Sequence, residues 1–106
     1  MGANEAIVIE WQRMRVRPEL RERFLKKDEE IWTAGLAREP GFLGKEIWLG
    51  EDGEVVLVIR WASEETWKGV SLERLDELDR LFRAEISEGY ELLEVRSWRA
   101  AGSGPA

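Results

Sequence analysis

The run Val55-Val56-Leu57-Val58-Ile59 constrains this chain more than any other feature. Five consecutive aliphatic residues without alternation read as a strand covered on both faces. The run is far shorter than the roughly 20 apolar residues that span a bilayer as a helix, so it belongs inside a sheet. A chain of 106 residues makes one domain with one modest core. Few elements are therefore available to cover the two faces of that sheet.

The flanking sequence supplies them in a regular order. Ile7 to Val16 opens with β-branched residues and Trp11, then alternates, which predicts a first strand. Pro18 suits the first turn of a helix that runs to about Arg38 and stops before Pro40-Gly41. Phe42 to Leu49 reads as a second strand, and Asp52-Gly53 is a hairpin signal leading into a third from Glu54 to Trp61. Ser63, followed by Glu64 and Glu65, caps a short helix through Trp67 and Lys68 that Gly69 breaks. Ser71 caps a longer one with Leu72, Leu75, Leu78, Phe82 and Ile86 on one stripe, and Tyr90 to Arg99 closes the order as a fourth strand. Two right-handed split crossovers of this βαββαβ kind build a ferredoxin-like α+β domain: a four-stranded antiparallel sheet with helices on one face. Strands one, three and four carry Ile, Val, Leu or Trp on both parities, so the second face would be apolar if left bare. The expected cover is a second copy of the chain, packed sheet to sheet as a homodimer. The domain is expected over residues 1–99, with 100–106 a flexible tail of small residues.

Composition narrows the function. A net charge of −6 without a Lys/Arg cluster argues against nucleic acid, since Arg13, Arg15 and Arg17 merely alternate along one strand end. No segment reads as a membrane span or a signal peptide, and Ala6 stands where a myristoylation signal has Ser or Thr; a cytoplasmic protein is expected. There is no cysteine and no histidine, which removes thiolate and imidazole chemistry and the commonest metal ligands. Without an Asp-rich loop or a Gly-rich phosphate loop, neither a metal nor a cofactor is expected. Carboxylates, Lys, Arg, Tyr90 and the tryptophans remain to carry any chemistry.

Several segments together carry a family resemblance. They are Ile7-Val8-Ile9-Glu10-Trp11, Lys27-Asp28-Glu29-Glu30-Ile31-Trp32-Thr33, Pro40-Gly41-Phe42-Leu43-Gly44-Lys45-Glu46 and Val55 to Ser63. The chain resembles the dimeric α+β-barrel superfamily, in its antibiotic-biosynthesis-monooxygenase-like branch, and closer still a family of short uncharacterised proteins within it, over about Ala6 to Arg99. The resemblance implies the fold, with Pro-Gly-Phe opening strand two and Trp61-Ala62-Ser63 leading into a short helix. It leaves activity open among cofactor-free quinone-forming oxygenases, haem-degrading enzymes, small-molecule isomerases and short uncharacterised proteins. Haem degradation is disfavoured: the resemblance would require an Asn on strand one, a Trp in helix two and a His. Here Glu10 and its neighbours and Val70 occupy those regions, and no His exists.

On a helical wheel of about 100° per residue, Leu20, Phe24, Leu25, Ile31, Trp32 and Leu36 form one apolar face with Asp28 near its middle. A carboxylate there either pairs with an Arg or a backbone group, or has its pKa raised by desolvation and acts as a base. Gly35, two turns along, would leave room beside it. Each of six tryptophans is more readily core or dimer packing than pocket wall; Trp32, beside Asp28, and Trp67 are the candidates for walls. Glu10 and Arg60 interrupt apolar strands and are expected to neighbour each other, as an ion pair or a ligand clamp. Asp79 falls at the border of the second helix's stripe, and Tyr90 could donate to a ligand or simply pack. The resulting expectation is a small-molecule enzyme resembling the cofactor-independent oxygenases, acting on an apolar, hydroxylated, aromatic substrate. Asp28 would be the base, Trp32 and Trp67 the walls, and Arg60 a partner for anionic charge. The alternatives are a homodimer that binds a small apolar ligand without turnover, and a structural protein whose tryptophans fill the cavity.

Overall fold

A computed structural model describes residues 6–102; the first five residues and the last four, which include most of the expected tail, lie outside the described residues. The chain forms β1 (Val8–Val16), α1 (Arg21–Lys27), α2 (Ala34–Leu36), β2 (Phe42–Leu49), β3 (Glu54–Trp61), α3 (Glu64–Lys68), α4 (Leu72–Glu85) and β4 (Tyr90–Arg99). The strands make one antiparallel sheet in the order β2-β3-β1-β4, the α+β arrangement the sequence predicts.

Central placement accounts for the aliphatic run. In β3, Val55 through Ile59 are all buried. Val55, Leu57 and Ile59 face the helices and join the two core clusters. Val56 and Val58 face the other way, yet they are already screened within one chain. Their register partners include Trp11, Arg13, Glu46 and Trp48. These bulky cross-strand neighbours cover the two valines within one chain. Of the large apolar strand residues on this outer face, Trp48 and Trp98 stay exposed.

The β2–β3 hairpin turns where expected. Asp52 and Gly53 both adopt positive φ, of 54° and 78°, which matches the right-handed twist of the strands. A Cβ on Gly53 would lie 2.5 Å from the carbonyl oxygen of Val16, so only glycine fits.

The first helical segment departs from the single α-helix expected. A 3₁₀ turn at Pro18–Leu20 leads into α1, and a π-helical stretch over Asp28–Thr33 separates α1 from α2. The N–H of Ala34 reaches back to the carbonyl of Glu29, five residues earlier. Such a turn inserts an extra residue into the helix and shifts the phase of the residues after it. The second helical segment matches expectation: Ser63 and Thr66 form a reciprocal capping box on α3, and the Ser71 hydroxyl accepts from the N–H of Arg74 on α4. Leu78 and Phe82 are buried on the α4 stripe, but Leu72 is 84% exposed.

Candidate functional site

Two apolar clusters share the space between sheet and helices. One contains Met14, Phe24, Leu57 and Phe82; the other contains Leu36, Ile59, Trp61 and Val70. Members of both line a cavity of about 250 Å³, so the core is hollow at its centre. Trp32, Trp61 and Trp67 wall this space without filling it, which corrects the reading of a cavity packed by its own tryptophans. Half-exposed Leu92 on β4 and exposed Arg83 on α4 mark its rim.

Asp28 projects into this cavity from the first residue of the π turn. It is 1% exposed and is the single buried charged residue by whole-residue exposure among the described residues. Its partner is a lysine, where the sequence suggested an arginine or a backbone group. Lys45 on β2 donates from Nζ to Asp28 Oδ2 at 2.5 Å, and the Lys45 side chain is 3% exposed. Burial pushes the Asp28 carboxyl above its ordinary 3.8; the charge and hydrogen bond of Lys45 pull it down, and the nearby charge of Glu29 adds to the rise.

Simple alternation hides Lys45. Counted from inward-facing Phe42, position 45 falls on the outer face. The register shifts between Phe42 and Gly44, however: Phe42 stands opposite Trp61, and Gly44 stands opposite Arg60. That bulge reverses the parity and turns Lys45 inward, opposite Ile59. The glycine at position 44 was the only local signal.

Trp32, Trp67 and Tyr90 line the cavity, as does Asp79, whose carboxylate takes a hydrogen bond from Arg83 at 2.9 Å. Tyr90 also packs against Phe24 and Phe82 at centroid distances of 5.4 and 5.7 Å. Glu10 faces the cavity too, held by Trp61 Nε1 donating at 3.2 Å and by Gln12 Nε2 donating at 3.0 Å. Trp61, which no sequence signal marked for the site, is therefore both a wall and a support.

Two expected site residues fall elsewhere. Arg60 pairs in register with Ile9, not Glu10, so the two charges point to opposite faces of the sheet. Arg60 instead bonds Glu46 at 3.3 Å on the outer face, where it can stabilise nothing in the cavity. Gly35 leaves no room for a ligand, because a Cβ there would lie 2.5 Å from Leu78 Cδ2. It serves the close approach of the first helical segment to α4. No group of three His, Cys, Asp or Glu able to hold a metal occurs among the described residues.

The cavity thus combines apolar walls with a buried carboxylate–ammonium pair at one side and a propped carboxylate, Glu10, at another. Such a site can hold a flat apolar molecule and exchange a proton with it.

The family model described as antibiotic biosynthesis monooxygenase matches residues 7–70, more than half of the chain. No curated protein matches the sequence significantly. Among solved structures, a variant of SnoaB from Streptomyces nogalater, a cofactor-independent oxygenase, superposes with a TM-score of 0.70 at 19% identity, covering 95% of this chain and 99% of SnoaB. A conserved protein from Methanosarcina mazei Go1 gives 0.64 at 13% identity, covering 91% and 94%. MupZ from Pseudomonas fluorescens gives 0.66 at 12% identity, covering 88% of this chain and 67% of MupZ. These likenesses establish a shared fold.

Proposed function

The chain belongs to the antibiotic biosynthesis monooxygenase family, and from that premise we propose a small-molecule enzyme that oxygenates an apolar, hydroxylated aromatic substrate without a cofactor. One observation carries the reading: a fully buried carboxylate, Asp28, stands with Lys45 in a mainly apolar cavity. Asp28 is the base, and Trp32 and Trp67 flank the rings. Removal of a proton from an acidic ring methylene leaves a carbanion, whose electrons pass to molecular oxygen as a carbon–oxygen bond forms. The resulting peroxide takes back the proton from Asp28 and loses water to leave a carbonyl. One methylene and one O₂ give one carbonyl and one water, so no external reductant enters.

The test is oxygen uptake by the purified protein with a panel of hydroxylated tricyclic ketones bearing an acidic methylene. Wild type should consume one O₂ per carbonyl formed. Asp28→Asn should lose roughly 10²- to 10⁴-fold in kcat, the usual contribution of a general base. An Asp28→Asn variant with full activity would remove Asp28 from the chemistry.

The ion pair favours a second reading, because a carboxylate already satisfied by Lys45 also suits a protein that binds such a ligand without turnover. Quenching of tryptophan fluorescence by the same panel, with no oxygen uptake, identifies that case. We further propose that the chain acts as a homodimer through the outer sheet face, where Trp48 and Trp98 remain exposed. The domain is proposed to span residues 1–99, with 100–106 as its tail. No described helix is long and apolar enough to cross a membrane.

A further inference from the structure

We propose, building on the enzyme reading above, that Lys45 is a substrate-binding residue that holds the anionic oxygen of a bound phenol or enol while Asp28 holds the proton. Lysine carries three N–H donors, and the Lys45 ammonium has one hydrogen bond among the described residues, to Asp28 Oδ2. Its side chain is 3% exposed and lines the cavity. The remaining donors therefore have only the cavity to serve. Asp28 Oδ1 makes no hydrogen bond among the described residues either, and no buried polar atom there lacks a partner. That oxygen consequently borders open space, which is the cavity that Asp28 lines.

The charge balance makes the exchange inexpensive. Before transfer, the site holds Asp28 carboxylate, Lys45 ammonium and a neutral phenol. The phenol O–H bond breaks and an O–H bond forms on Asp28. Afterwards the site holds a neutral acid, the same ammonium and a phenolate. No electrons change hands, net charge stays at zero, and the buried ammonium keeps one anionic partner throughout. Creating an unpaired buried charge, the costly alternative, is avoided.

Orientation comes from the sheet. Ile59 is in register with Glu10 on one side and Lys45 on the other, so the three form one row across β1, β3 and β2. Two strand spacings put the Glu10 and Lys45 backbones roughly 10 Å apart. Glu10 repels an anion and accepts from a hydroxyl. A substrate thus binds with its acidic oxygen at Lys45 and a neutral, hydrogen-donating end toward Glu10.

The experiment uses 4-nitrophenol, whose anion is coloured, with the full-length protein below the probe's own pKa. Wild type should bind the probe in its coloured, anionic form. Lys45→Met should bind the anion roughly 10- to 100-fold more weakly, the loss of one charge-assisted hydrogen bond. Because Lys45→Met strands the Asp28 charge and so threatens folding, Asp28→Asn/Lys45→Met supplies the same test with both charges removed. The proton's destination is read from pH dependence. In wild type Asp28 takes the proton, so affinity stays flat with pH between the Asp28 and probe pKa values. In Asp28→Asn the proton goes to solvent, so affinity rises tenfold per pH unit up to the probe's pKa. Glu10, Asp79, Arg83 and Tyr90, which line the cavity, and Glu29, whose charge acts on Asp28, are the same in both proteins and cancel in the comparison. Colourless binding, or no binding, by wild type overturns the proposal, as does coloured binding of unchanged affinity by the double variant. Phenolate binding that depends on Lys45, in a protein that consumes no oxygen, would sink the oxygenase reading and leave this one standing.

Discussion

Removing the Lys45 charge alone should hurt far more than removing the Asp28 and Lys45 charges together. Both side chains are almost wholly withdrawn from solvent, so neither charge can turn to water when its partner is lost. Breaking such a pair from one side costs about 3–5 kcal/mol, much of it the penalty for the stranded charge. Lys45→Met should fall in that range, a large share of the roughly 5–15 kcal/mol that stabilises a small domain, whereas Asp28→Asn, whose neutral amide replaces a carboxyl that burial disfavours as an anion, should cost far less. The double variant strands no charge and should lie within about 2 kcal/mol of wild type, since a buried amide then faces the cavity. Lys45→Met alone should therefore be less stable than the double variant by at least about 1 kcal/mol. Urea unfolding at fixed protein concentration, followed by tryptophan fluorescence, measures all four corners, with buried Trp61 reporting from the cavity wall. Additive single effects would refute the reasoning.

The same series carries a pH signature. The folded-state pKa of Asp28 lies above the ordinary 3.8, so between those two values the folded chain binds more protons than the unfolded one. Its contribution is fully present below 3.8 and is lost as pH rises through the folded pKa. The stability difference between wild type and Asp28→Asn should therefore fall with rising pH in that window, by at most about 1.4 kcal/mol per unit. Lys45→Met, lacking the downward pull of the ammonium, should extend the window to higher pH. A difference that grows with pH would mean the carboxylate is stabilised as an anion, and the base assignment would fail.

Two further measurements test the scaffold. Gly35→Ala forces a methyl against buried Leu78; overpacking of about 1–3 kcal/mol, less the roughly 1 kcal/mol that alanine gains as a helix former, should leave a net loss near 1 kcal/mol in urea unfolding. A stabilised variant would show that the helices are loosely packed there. Light scattering at micromolar concentration should give a dimer mass for wild type and a monomer mass for Trp48→Glu/Trp98→Glu, while a monomeric wild type refutes the proposed use of the outer face.

The sequence made the regular parts of the molecule legible. Apolar parity, the Asp52-Gly53 turn and the Ser63 and Ser71 caps are local signals, and each element they predict is present. The position of Asp28 was legible too, because the π turn begins at that residue and the wheel is still in phase there. What escaped were consequences of irregularity and of pairing between distant strands. Lys45 escaped because one extra residue at the β2 bulge reverses the parity of everything after it. Arg60 was misassigned because adjacent strands do not by themselves bring two charges to one face; a shift of one residue in register separates them. Gly35 was read as space, whereas its missing Cβ is space already taken by Leu78.

Three locally unfavourable features meet at one place, and together they argue for function over stability. A π turn is a rare departure from α-helical bonding, frequently found at functional sites. It begins at the residue that projects the carboxylate into the cavity. The bulge in β2 interrupts a ladder, and it is what turns Lys45 inward. The ion pair they create is weak as a stabilising device, since apolar residues of similar volume serve a core equally well or better. Packing alone therefore calls for none of the three. A leucine at position 28 and a methionine at position 45 would relieve the desolvation and leave the sheet order unchanged. A site that must exchange a proton with an apolar ligand, by contrast, needs a carboxylate kept dry and a fixed cation beside it. Coincidence of these features around one cavity is what that requirement produces, since functional sites are where local rules give way and the surrounding fold compensates.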